Sequence, residues 1–544
     1  MEERYLRQVA EAVEGLSDRP NVITPSASEL RTQAEHFGLP TKFGSYSFTS
    51  TVKNRSAPLT LYVGGAGVAH ANPSQKRKDL LRTLPETLRL VHEYIRKAPL
   101  IRVDATMGCN QSFTPQCTLY VSGYRKESVR LSYMVGQTLF PKADTPGPHF
   151  SIVYIPEWQE KDRQILVFAE IGCTYVLGSD YYGEAKKGFL RMAMWHAKQQ
   201  GMLGLHAGTK VIRARDRDGK LRKLGMVIFG LTATGKTTHA CHNHGLLDDG
   251  EGVEIVQDDV VFWRRDGSAL GTERGFYIKT EGLDPNTQPL LYHAATQRDA
   301  ILENVMVDYL GNVFFDDETL TANGRGIIQR SDLGSAAAES VDLPPLDELD
   351  LLIMAFIIRR NTVAPIASKL TPEQAAAAFM LGESIESSGS DPRRAGESVR
   401  EVGTNPFIIG DEAQEGNIFY EFVKSHPRKI ECYMLNTGGV GEIVQRNLDG
   451  SRMVKQKVTR VQIPEMAAII RGIARNTIEW EDHPLWEVQM PKAVESIDVS
   501  RFDLSNHYGL EQAEALVGDL RLERAQYIER FERLDPRIRR AAEL

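Results

Sequence analysis

Apolar residues recur at helical spacing in "RKDLLRTLPETLRLVHEYIRKA" and again in "GEAKKGFLRMAMWHAKQQG", predicting two helices, the second ended by Gly201. Around them run short apolar segments of strand length: "LIRVDATMG", "HFSIVYIPEW" and "RQILVFAEIG". "LTLYVGGAG" reads as a strand closing on a turn, because its glycines lack the G-x-G-x-x-G spacing of a dinucleotide loop. "KVIRARDRDGKLRKLGMVIFG" breaks once at Asp218-Gly219, which predicts a hairpin whose second strand runs straight into Gly230. "VEIVQDDVVFW" is the next strand, and the apolar run Leu351–Ile358 in "LDELDLLIMAFII" is another.

Thr371-Pro372-Glu373-Gln374 opens an alanine-rich helix: Thr371 caps, Pro372 suits the first helical position and Gln374 completes a capping box. Residues 1–45 read as helix followed by loop, and a charged amphipathic helix from about Gly509 packs on the body. The fold class is α/β. With 544 residues the chain exceeds one ordinary domain, so two lobes are expected, divided near residue 200. The Gly/Ser-rich, charged stretch 383–404 reads as a surface loop or as a lid.

Composition narrows the functional classes. A net charge of −7 with no basic patch argues against a nucleic-acid partner or an anionic membrane surface. The longest apolar run, Leu351–Ile358, is far shorter than the roughly 20 residues of a membrane helix. Five scattered cysteines without a C-x-x-C pair, and an N-terminus without a signal-peptide core, point to a cytoplasmic protein.

The sharpest chemistry lies in "GLTATGKTT", where Gly230, Leu231, Thr232, Ala233, Thr234, Gly235, Lys236, Thr237 and Thr238 satisfy G-x-x-x-x-G-K-[ST] directly after a strand. Glycines there let backbone N–H groups converge on phosphate oxygens, and a helix N-terminus adds its positive end. Lys236 would reach the β and γ phosphates of ATP, and the Thr237 hydroxyl would hold Mg²⁺. Asp258 and Asp259 follow "VEIV" at a strand end, where a metal-directed carboxylate belongs in such a site. His239, Cys241, His242 and His244 crowd behind the cradle, but their spacing matches no standard zinc pattern. They are expected on the surface and in the packing of the helix after the cradle, with His239 and His242 sharing a face.

The order of "YYGEAKKG", "GLHAG", the cradle, "QDD", "RDAILENV", "FDDETLTANGR", "LTPEQA" and "LNTGG" resembles that of ATP-dependent phosphoenolpyruvate carboxykinase, over roughly 45–460. The resemblance implies a two-lobe fold: an N-terminal substrate-binding lobe over 1–200, and a C-terminal P-loop lobe with a helical tail over 201–544. It also implies that the reaction occurs in a cleft that closes to exclude water. In that family oxaloacetate loses CO₂ and its enolate is phosphorylated by ATP, giving phosphoenolpyruvate and ADP. Carried over by motif, Lys187, His206 and Asp259 would hold Mn²⁺, Arg325 would contact the transferring phosphoryl group, and Arg55 and Tyr181 would bind substrate. A monomer or small homo-oligomer is expected.

Some motifs depart. The family's "GRSPKDK" is reduced to "NRSAP" around Arg55, and Tyr182 replaces the first glycine of "YGGEMKKG". "ACFGAPF" has no counterpart in "SSGSDPRRAGESVREVGTNPFIIG". On the adenine side Thr459 of "KVTR" fits, whereas Met453, beside Arg452, stands where an arginine is expected. The alternative these departures leave open is a divergent P-loop kinase acting on another small acid or hydroxyl compound.

Overall fold

A computed structural model describes residues 2–70, 73–145, 147–159, 163–231, 234–386, 397–446 and 452–543. The chain forms two compact units, each α/β. The first comprises Met1–Gly204, Leu270–Ala337 and Phe407–Asp411; the second comprises Leu205–Ala269, Ala338–Pro406 and Glu412–Leu544.

In the first unit a mixed sheet runs in the order Val22–Ile23, Leu100–Thr106, Gln116–Ser122, His149–Ile155, Cys173–Leu177, Gln164–Phe168, Thr60–Tyr62. The helix Gln75–Ile95 packs on it through Leu80, Leu84, Leu88, Val91 and Ile95. These recur every three or four residues and meet Leu100, Val153, Leu166, Phe168 and Tyr175 of the strands. The helix Tyr182–Gln199 is buried almost throughout, including Lys186 and Lys187.

A second sheet in this unit, Gly275–Lys279, Arg325–Gln329, Ile301–Glu303, Tyr46–Phe48, Leu39–Pro40, brings a later segment of the chain into it. Ile301–Glu303 pairs in parallel with Tyr46–Phe48 and antiparallel with Arg325–Gln329, so 270–337 folds with the N-terminal residues. Arg325 therefore belongs to the first unit.

The second unit is built on the sheet Gly252–Gln257, Ala207–Arg215, Leu221–Gly230, Leu351–Ile358, Ile430–Asn436, Ala367–Leu370, Gln489–Ala493, Glu479–Asp482. Leu221–Gly230 lies parallel to Leu351–Ile358, which lies parallel to Ile430–Asn436. Burial on both faces explains why "LLIMAFII" is apolar without alternation. The hairpin turns at Asp216–Lys220, where Asp216 Oδ1 accepts from the backbone N–H of Asp218 at 3.1 Å and of Lys220 at 2.9 Å. The expected single strand "VEIVQDDVVFW" is two, Gly252–Gln257 and Val261–Trp263, broken where the acidic pair bends away.

The helix Pro372–Leu381 carries the anticipated Thr371/Gln374 capping box, and Leu510–Glu529 follows Gly509. No helix among the described residues is long and apolar enough to cross a membrane.

Candidate active site

In the second unit, Gly230 ends a central strand and Lys236 opens the short helix Lys236–Ala240. Thr232 and Ala233 lie outside the described residues. Gly235 has a φ of 97°, a left-handed conformation that strains any other residue. A methyl group on Gly230 would come within 2.5 Å of Thr234 Oγ1, so the turn leaves no room for one. The loop is closed on itself by the Thr234 hydroxyl, which donates to Leu231 O at 2.7 Å. Thr437 Oγ1 clamps it from outside, donating to Thr234 O at 2.6 Å. Thr459 stands on a strand paired with Gly439–Val440, just beyond that clamp. Met453 lies on a neighbouring hairpin, exposed.

Lys236 Nζ donates to Asp258 O at 3.1 Å and lies 3.6 Å from Asp259 Oδ1. His206 Nε2 approaches the same oxygen to 2.9 Å. The other ring nitrogen of His206 is 2.6 Å from Thr404 O. A carbonyl only accepts, so Nδ1 must carry a proton. Nε2 then meets the carboxylate either through a second proton or as a lone pair, and a cation between the two satisfies both lone pairs at once. The nitrogen and oxygen donors, with Asp258 and Asp259 both buried, are of the kind that could hold a divalent cation.

The histidine cluster takes a form the sequence did not foretell. The helix ends at Ala240, so His242 is not on it, while His239 and His244 are buried in the packing. Their rings gather at 5.1 to 6.4 Å between centroids. At the centre is Lys210, fully buried, which donates to His239 O at 2.6 Å and His242 O at 3.4 Å and touches His244 Nε2. It thereby ties down carbonyls that the short cradle helix leaves over.

Burial pushes the Lys210 amine down to about 7, while Cys241 acts weakly in the opposite sense. Burial likewise holds His239 at about 3 and His244 well below the usual imidazole range. Above pH 7 the folded chain sheds a proton that the unfolded chain keeps, so stability rises with pH toward the ordinary lysine value. That slope approaches about 1.4 kcal/mol per pH unit from one group. Lys210→Met is expected to remove it, so that urea unfolding at pH 7 and pH 9 shows a smaller rise than wild type. An unchanged rise would refute the assignment.

The first unit gathers a different set. Arg55 Cζ lies 4.5 Å and Lys187 Nζ 4.7 Å from the ring centroid of Phe407. The adjacent Lys186 is committed to a buried ion pair with Glu273 at 2.7 Å, which separates the roles of the two lysines. Asp180 pins the loop leading to Arg55 by accepting from Thr51 N at 2.7 Å and Val52 N at 2.9 Å. Asn323 Nδ2 donates to Tyr181 Oη at 3.2 Å and to Lys53 O at 2.8 Å. Its Oδ1 accepts from Arg325 Nε at 3.0 Å. Burial lowers the Arg55 guanidinium from its usual range; Glu184 raises it, and Arg191 and Arg325 lower it further.

Arg55, Tyr181, Lys187 and Arg325 thus share the first unit, while His206, Lys236, Asp258 and Asp259 converge in the second. Sequence reasoning missed Phe407, Asn323 and Arg191. Phe407 lies in the stretch where the family motif is absent, so no local pattern marked it. Of the anticipated loop 383–404, residues 387–396 lie outside the described residues.

The family described as phosphoenolpyruvate carboxykinase matches residues 24–500. A protein of Aeropyrum pernix named phosphoenolpyruvate carboxykinase (ATP) is 34% identical over 351 residues, covering 64% of this chain and 67% of the relative. Proteins of the same name from Rhodopseudomonas palustris and Leptospira biflexa are 29% and 28% identical, each over 59% of this chain. The matches span two thirds of the first relative's length, and 54% and 55% of the other two.

Proposed function

The chain belongs to the phosphoenolpyruvate carboxykinase family, and on that premise we propose that it converts oxaloacetate and ATP to phosphoenolpyruvate, CO₂ and ADP. The observation that carries this reading is the meeting of Lys236 and His206 on one carboxylate, Asp259, at 3.6 and 2.9 Å. A cradle lysine and a metal-type imidazole would have no reason to share an acid in a protein that only held nucleotide.

In this mechanism the loop from Gly230 to Thr238 holds the phosphates of ATP, and Lys236 sits at the β and γ groups. Arg55 holds a substrate carboxylate, with Tyr181 beside it. The bond to the leaving carboxylate breaks and its electron pair forms the enolate. The enolate oxygen attacks the γ phosphorus, the bond to the β phosphate oxygen breaks, and ADP departs. Arg325 faces the transferring group. Mn²⁺ at Lys187, His206 and Asp259, and Mg²⁺ at the Thr237 hydroxyl, would supply positive charge opposite the phosphoryl oxygens. Phe407, buried beneath Arg55 and Lys187, keeps water from those cations, so the enolate is less readily protonated. The scattered free thiols suit a cytoplasmic setting.

The test is oxaloacetate formation by the purified protein from phosphoenolpyruvate and bicarbonate, which is expected to require both ADP and Mn²⁺. Inactivity in both directions with every nucleotide would overturn the proposal. Nucleotide turnover stimulated by another small acid, and not by oxaloacetate, would instead make the chain a kinase of a different acceptor.

A further inference from the structure

The helix Tyr182–Gln199 carries Glu184, Lys187 and Arg191 at spacings of three and four, which align them along one face. Arg191 has no place in the family motif, yet it is 3% exposed. Its Cζ lies 5.9 Å from the Phe407 centroid and 5.8 Å from that of Tyr62. Arg55, Lys187 and Arg191 therefore surround a single phenyl ring.

Stacking on rings stabilises the face of a guanidinium but leaves its in-plane N–H groups unmet. Arg191 Nε and Nη1 are buried without a hydrogen-bond partner among the described residues. Glu184, the neighbouring carboxylate, is occupied by the backbone N–H of Ser56 at 2.5 Å. Desolvated donors of this kind are costly unless something else completes them. The local balance of charge is positive, so that partner is an anion.

We propose that Arg191 is a specificity-determining residue that binds the second carboxylate of a dicarboxylic substrate, Arg55 binding the first. This rests on the reading of the Arg55 pocket as the substrate-acid site. The two arginines make the pocket selective for small dicarboxylates over monocarboxylates, a preference that the motif arginine alone does not confer.

Calorimetric titration of the full chain with malonate and with acetate tests this, using wild type, Arg55→Ala, Arg191→Met and Arg191→Lys, each checked for an unchanged unfolding midpoint. Wild type is expected to prefer malonate. Arg191→Met should weaken malonate binding by about 10- to 100-fold while leaving acetate unchanged, and Arg191→Lys should restore part of it. In the carboxykinase assay the same loss should appear in KM for oxaloacetate more than in kcat. Malonate binding lost in Arg55→Ala but intact in Arg191→Met overturns the inference and leaves the pocket reading standing. Wild type that binds neither acid overturns both. If Arg191→Met unfolds, Arg191→Lys decides alone: a weakened malonate preference supports the role, and malonate binding equal to wild type refutes it.

Discussion

Lys236→Ala is expected to lower kcat by about 10²- to 10³-fold while leaving the fold intact, the usual consequence of deleting one preorganised charge at a phosphoryl-transfer site. Its amine hydrogen-bonds Asp258 O at 3.1 Å and stands 3.6 Å from Asp259, so the acidic pair holds it in place before any phosphate arrives. A charge already in place needs no rearrangement as negative charge spreads over the transferring group, which is why its loss falls on kcat. The stability cost should stay near about 1 kcal/mol, since one hydrogen bond to a carbonyl is lost. Lys236→Arg should not rescue the rate, because a planar fork does not replace a compact ammonium inside a tight loop. Steady-state kinetics with a thermal unfolding control read both quantities. A kcat within tenfold of wild type would remove Lys236 from the chemistry.

That cradle was legible in the sequence because everything it needs is local: a strand, glycines at fixed offsets and a lysine opening a helix. The capping box at Thr371 and Gln374 was legible for the same reason. What escaped depends on partners distant along the chain. Arg325 joins the first unit because Ile301–Glu303 pairs with Tyr46–Phe48, and no periodicity within either segment announces that pairing. Cys173–Leu177 is buried on both faces, so it lacks the alternation that marks a half-exposed strand. Lys210 defies the prior outright: a lysine inside a strand reads as solvent-facing, yet here it is buried among histidines and carbonyls. Arg191 was masked similarly, as one more cation on a helix already rich in lysine.

The largest stability effect is expected at Glu383. Its carboxylate is shared by Arg360 at 2.9 Å, Arg400 at 3.5 Å and Arg524, which grips both oxygens, and all four side chains are at least nine-tenths buried. Burial alone would raise this carboxyl, but Arg360, Arg524 and Arg400 outweigh it and hold the group far below the usual carboxylate range. Glu383→Gln removes the negative charge and leaves three guanidinium groups out of water, so a loss of about 3–5 kcal/mol is expected. Glu523 partly shelters Arg400, Ser398 binds Arg360, and Arg524 also faces the ring of Trp486. The damage should reach the cradle. Arg360 N donates to Asn436 Oδ1 at 2.9 Å, and the next residue, Thr437, clamps Thr234. The pH dependence follows from the lowered carboxyl: its stabilisation is complete above the unfolded value near 4.5 and is lost as the pH falls toward the depressed folded value. Urea unfolding at pH 7 should show the full deficit in Glu383→Gln, and the gap to wild type should narrow as the solution is acidified. A deficit below about 1 kcal/mol at pH 7 would mean that the three arginines find other partners, and that the support of the Thr437 clamp lies elsewhere.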